Sequence, residues 1–208
     1  MFVLVFCLPS LTYGEQPIDA LQQCIDEGIM ILNDPQYRDN SQKGAQRQKL
    51  WEVTQQIFDH EEFSKRALGS KWKTFTTEQR EEILDVFSEF LSKYYLNELI
   101  EKYSDEQVGH MRQRLLDDNK AEVIMKVEWR SARVPVKVKM LKRDETWKVY
   151  DVQIMGVSAL LNYRAQFQVL LLRDTPEELI ERLKKRVIRL EEDLQKEYAR
   201  KSSKGAWF

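Results

Sequence analysis

The sequence predicts an α+β domain in which a four-stranded twisted antiparallel sheet packs against helices. Two observations carry this reading. Apolar residues recur at helical spacing up to about residue 103, alternate with polar ones from about 121 to 155, and then return to helical spacing. In addition, the 77–103 segment puts Ile83, Val86, Phe87, Phe90, Leu91, Tyr94 and Tyr95 on a face too broad for a single neighbour, so it must meet several elements. A chain of 208 residues can bury one sizeable core, and one domain follows.

Taken in order, FVLVFCLPSL (2–11) followed by Thr12-Tyr13-Gly14 reads as a signal peptide over residues 1–14, cleaved before Glu15. Cleavage would leave Cys24 as the lone cysteine, without a disulfide partner. Ile18, Leu21, Ile25, Ile29 and Leu32 describe a first helix that ends near Asn33-Asp34-Pro35. After a polar stretch at 38–48, a second helix carries Leu50, Val53 or Thr54, and Ile57. Asp59-His60-Glu61-Glu62 caps a third helix that ends at Gly69, and Thr76-Thr77-Glu78-Gln79 opens the fourth. Strands follow at about 108–116 (weak), 121–129, 134–141 and 146–155. Gly156 breaks the chain before a helix at 158–172. Thr175-Pro176-Glu177-Glu178 starts the last helix, where Leu179, Leu183, Val187, Leu190 and Leu194 form a narrow stripe. Glu178→Arg182, Glu181→Lys185 and Glu192→Lys196 have the spacing of favourable ion pairs.

Composition removes several function classes. The 33 basic and 34 acidic residues nearly cancel, which gives no field to attract nucleic acid. Only His60 and His110 are available as histidines, and no nucleotide, zinc or nucleophile motif is present. No metal or cofactor is expected. Asp151 is the one acid within the 147–154 strand, where a structural hydrogen bond accounts for it more simply than catalysis. The cations Arg182, Lys184, Lys185, Arg186 and Arg189 are interleaved with acids and read as a solvated face. What remains is apolar surface, and periodicity alone favours an ordinary filled core for it.

Three segments carry a resemblance. FSKRALGSKWKTFTTEQREEILDVFSEFLSKYYLNEL (63–99), VPVKVKML (134–141) and, above all, WKVYDVQIMGVSALLNYRAQF (147–167) resemble the MlaC, or toluene-tolerance, family of periplasmic phospholipid carriers. The resemblance implies an NTF2-like sheet curled against helices around a lipid-sized apolar cavity, within a lipid-binding domain over 15–187. Residues 188–208 would be a helical extension. It further implies a periplasmic shuttle that carries glycerophospholipid between the outer and inner membranes and maintains outer-membrane lipid asymmetry. Its partners would be an outer-membrane lipoprotein complex and an inner-membrane ABC transporter with an MCE-domain ring.

From strand and helix facing, the candidate tail contacts are Phe87, Phe90, Tyr94, Val127, Trp129, Val136, Val138, Met140, Val152, Ile154, Leu160, Tyr163 and Phe167. Trp147 and Tyr150 are candidates for packing or the rim, and NYRAQF for pocket wall or scaffold. Two other classes stay open: an NTF2-like enzyme acting on a small apolar substrate, for which Asp151 is the only candidate, and an adaptor using the 176–201 helix.

Overall fold

A computed structural model describes residues 16–104, 106–129 and 132–205. The expected signal peptide and its cleavage site lie outside these residues. Helix α1 (Pro17–Asn33) begins with proline at its first position, where the missing N–H costs nothing. Helix α2 spans Lys43–Ile57, starting within the polar stretch expected to precede it. The reason lies in Gln46, whose buried side-chain amide donates to the carbonyls of Ile31 and Leu32 and so satisfies the end of α1. A polar residue is therefore part of this core, invisible to a purely apolar pattern.

Helix α3 (His60–Leu68) is capped by Asp59, which accepts from the Glu62 N–H at 2.8 Å, and it ends at Gly69. That glycine has φ +59°, and the Arg164 guanidinium lies 3.0 Å from where a Cβ would stand. The end of α3 at Arg66-Ala67-Leu68-Gly69 and the NYRAQF segment thus meet at this point. Helix α4 (Thr77–Lys102) opens with the full reciprocal capping box of Thr76 and Gln79.

The sheet has six strands, not the expected four. Strands β1 (Gln107–Val108) and β2 (Arg112–Asp117) both pair with β3 (Lys120–Trp129), along the same edge. The expected weak first strand is split because residues 109–111 carry one residue more than β3 opposes, a bulge at which the Gly109 N–H still donates to Lys126. Strand β4 (Ala132–Arg143) pairs with β3 so that Ala121, Val123, Met125 and Val127 face Met140, Val138, Val136 and Val134. Their alternation places both apolar sets on one side. Strand β5 (Thr146–Ile154) follows a tight turn at Asp144-Glu145, and β6 (Val157–Ser158) follows another at Met155-Gly156. Two residues are too few for an alternation pattern to reveal, so β6 was hidden from the sequence.

Helices α5 (Ala159–Leu170) and α6 (Pro176–Gly205) complete the fold. Thr175 and Glu178 cap α6 reciprocally. This occupies Glu178, so Arg182 pairs with Asp174 at 2.6 Å instead of with the expected partner four residues earlier. The α6 stripe (Leu179, Leu183, Val187 and Leu194) is buried, and α4 and α6 are joined by Lys93–Glu191 and Tyr198–Asn97. The boundary expected at residue 188 falls inside this one continuous helix.

Two cores result. One, around Phe63, Phe87, Tyr163 and Phe167, is closed by α3, α4, α5 and α6. The other, around Leu21, Val123, Met140 and Trp147, joins the start of α1 to the sheet.

Candidate functional site

Between these cores the molecule is hollow. Past Leu21, the α1 residues Cys24, Ile25, Gly28 and Ile29 are only half-buried and face space. Together with Leu50 and Val53 of α2, Leu96, Leu99 and Tyr103 at the end of α4, and Val108, Val127, Trp129, Val134, Val136 and Ile154 of the sheet, they enclose about 550 Å³. A second compartment of about 420 Å³ is walled by Trp51, Phe58, His60, Phe63, Leu91, Val152, Ile154, Val157, Ala159 and Asn162. Thr54, Tyr95, Leu96 and Ile154 line both, so the two adjoin. Each volume lies in the range of about 300–1,000 Å³ usual for ligand sites.

The wall is almost wholly apolar. Tyr94, Tyr95, Leu99, Trp129 and Ile154 remain exposed although large and apolar, and all five line the first compartment. Scattered exposed apolar residues are ordinary; five on one concave surface mark a binding site.

At and beside the wall, burial favours the neutral form of three groups, while Glu98, Lys102 and Glu106 form a charged part of the first compartment's lining. Burial, with a smaller contribution from Glu27, pushes the Cys24 thiol up to about 11. His60 is wedged between the rings of Trp51 and Phe58, each 4.8 Å away, and burial pushes it down to about 4 against the opposing pull of Asp59. The Tyr163 hydroxyl, 3.3 Å from that of Tyr95, is shifted upward chiefly by burial.

Of the residues expected to touch a ligand, Tyr94, Val127, Trp129, Val136, Val152 and Ile154 line the two compartments. Val138 and Met140 lie deeper in the sheet core. Phe87, Phe90, Leu160, Tyr163 and Phe167 belong to the helical core, where Phe87 meets Phe167 and Tyr163 edge to face at 4.9 and 5.1 Å and stacks on Phe90 at 6.4 Å, while Phe90, Tyr163 and Phe167 also line a small pocket of about 190 Å³. The NYRAQF segment is therefore largely scaffold, although its Asn162 reaches the second compartment. Trp147 is packed in the sheet core, and Tyr150 lies beneath the Arg66 guanidinium at 4.5 Å.

The α1 wall, with Ile25, Gly28 and Ile29, escaped sequence reasoning because a stripe facing a hole has the same period as one facing a core. The available signal was Gly28, a helix-weakening residue in the middle of that stripe.

Asp151 is wholly buried and lines neither compartment. It accepts from Ser158 Oγ at 2.8 Å and from the Leu160 N–H at 3.1 Å, and pairs with Lys139 at 3.3 Å. It can sit there because β5 carries a bulge between Val149 and Asp151 opposite Met140, which turns Asp151 onto the Lys139 side of the sheet. Its task is to tie β5 to the start of α5. Asp151→Ala is expected to lose about 3 kcal/mol in urea unfolding, since a charge-assisted network is removed and Lys139 is left unpaired. A loss below about 1 kcal/mol would show that this junction is held by other means.

Among the described residues there is no cluster of His, Cys, Asp and Glu able to hold a metal, and no helix long and apolar enough to cross a membrane. The fold is that of an α+β domain with two adjoining apolar-lined pockets. The family model described as MlaC protein matches residues 22–185, and the chain belongs to that family. Among solved structures, the phospholipid-binding protein from Ralstonia solanacearum, in complex with a phospholipid, is similar. It shares 25% identity over 85% of this chain and 99% of that one, with a TM-score of 0.72. Comparison with curated proteins gives no match.

Proposed function

We propose that this protein carries glycerophospholipid through the periplasm, between an outer-membrane lipoprotein complex and an inner-membrane ABC transporter with an MCE-domain ring, so maintaining the lipid asymmetry of the outer membrane. The adjoining apolar compartments carry the reading. Membership in the MlaC family and the likeness to a phospholipid-binding protein support it, and both point to binding or transport rather than catalysis.

Two acyl chains removed from water are stabilised by roughly 20–25 kcal/mol, at about 0.8 kcal/mol per methylene. A carrier must offer comparable shielding, and a wall of Val, Ile, Leu and aromatic side chains does so. Against a bilayer the exchange is nearly neutral, so loading and unloading depend on membrane partners rather than on raw affinity. The enzyme alternative loses its candidate, since the Asp151 carboxylate is engaged away from the cavity. The adaptor alternative is weakened because the apolar stripe of α6 is already buried within the domain.

Mass spectrometry of protein purified natively from a Gram-negative periplasm is expected to find one bound phospholipid per chain, or two tails' worth of acyl chain. Finding none, together with no uptake from liposomes bearing the partner complexes, would refute the proposal.

A further inference from the structure

Three spaces follow one another along α4. Its residues between Tyr94 and Tyr103 line the first compartment, and those between Leu91 and Leu96 the second. Those between Leu84 and Lys93 line a further groove of about 630 Å³. Trp51, His60 and Ser92 belong to both the second compartment and the groove, so one layer of side chains separates the two. Beyond that layer the lining turns charged, with Arg47 and Lys93 among Glu61, Asp85, Glu89 and Glu191. Such a surface gives no shelter to hydrocarbon.

The separating layer is built from rings. The His60 imidazole meets the Trp51 indole at 4.8 Å and the Phe58 ring at 4.8 Å, tilted by 56° and 53°. Both imidazole nitrogens are buried without a hydrogen-bond partner among the described residues. Unpartnered buried polar atoms are uncommon and costly, so this ring is retained for its shape and packing rather than for hydrogen bonding. Burial keeps it uncharged at neutral pH, and an uncharged ring is compatible with the end of an acyl chain.

We propose that Trp51 and His60 form a stop that sets the longest acyl tail the cavity accepts. The inference rests on the lipid-carrier reading and adds tail-length selection to it. From Tyr103 to Leu91, α4 offers a tail about 18 Å of wall, at about 1.5 Å per residue. A tail that reaches the stop must bend back or leave its last methylenes in water. A bilayer shelters every methylene, so each one left exposed shifts the exchange against the carrier by about fourfold.

The test is to load the mature chain from vesicles that hold a short-tailed reference phospholipid and an equal amount of a second one. The second has the same headgroup and a saturated tail length that rises from one vesicle preparation to the next. Mass spectrometry then gives the bound ratio. The wild type is expected to show a break in length, beyond which each added methylene lowers the relative loading by about fourfold. Trp51→Leu and His60→Ala, which thin the stop from two different elements, should each move that break to longer tails. Loading of the reference lipid reports that a variant is folded. A wild type without a break, or a break unmoved by both substitutions, would overturn this inference and leave the carrier reading intact. No loading of any lipid by the wild type would overturn both.

Discussion

Gly28→Phe is expected to empty the cavity of lipid without unfolding the protein. Gly28 lies within α1 and lines the first compartment, and nothing stands within 4 Å of the position a Cβ would take. A ring placed there projects into the space proposed for a tail. Displacing two methylenes, at about 0.8 kcal/mol each, is enough to weaken binding by about tenfold. The helix itself should tolerate the change, because glycine in a helix interior is about 0.5–1 kcal/mol worse than alanine. Gly28→Ala is the matched control: it should raise stability by up to about 1 kcal/mol and leave loading unchanged. Native mass spectrometry and thermal unfolding of the two variants check both halves. A phenylalanine variant that loads like the wild type would mean that the tails lie elsewhere.

Phe87→Ala should do the reverse. Phe87 is fully buried, and its ring meets Tyr163 at 5.1 Å, Phe167 at 4.9 Å and Phe63 at 5.8 Å. Removing it leaves a cavity at the meeting of α3, α4 and α5, with a cost of about 3–5 kcal/mol. For a domain of this size that amounts to a fall in Tm of about 6–20 °C. The folded fraction should still bind lipid in wild-type proportion, because the compartment walls do not include this ring. A variant with unchanged Tm but no bound lipid would move Phe87 from the scaffold to the pocket.

The contrast between Gly28 and Phe87 shows what periodicity can convey. Both belong to apolar stripes of helices that the sequence predicts. A stripe records that one side of a helix avoids water; whether a protein side chain or empty space lies opposite is not recorded. Helix facing makes the aromatic residues of α4 and α5 candidate ligand contacts, and here those rings interdigitate in the helical core. The smaller, less regular wall of α1 and the sheet stays open because α1 meets the sheet around Leu21 and leaves it beyond Ile25.

Local chemistry, by contrast, was legible. The caps at Asp59, Thr76 and Thr175 depend on side chains three residues from their partners, and all form. The apolar alternation of β3 and β4 set their register, since a slip by one residue would turn valines to water and lysines inward. Features involving distant partners were less accessible: Gln46 closing α1, Arg164 over Gly69, and the bulge that aims Asp151 at Ser158. By itself, the sequence determined the α+β class, most helix starts and the polarity of the faces of β3 and β4, because these follow from neighbours along the chain. Only the tertiary structure decided where the core closes and where it stays hollow, because that depends on how far apart two apolar faces come to rest.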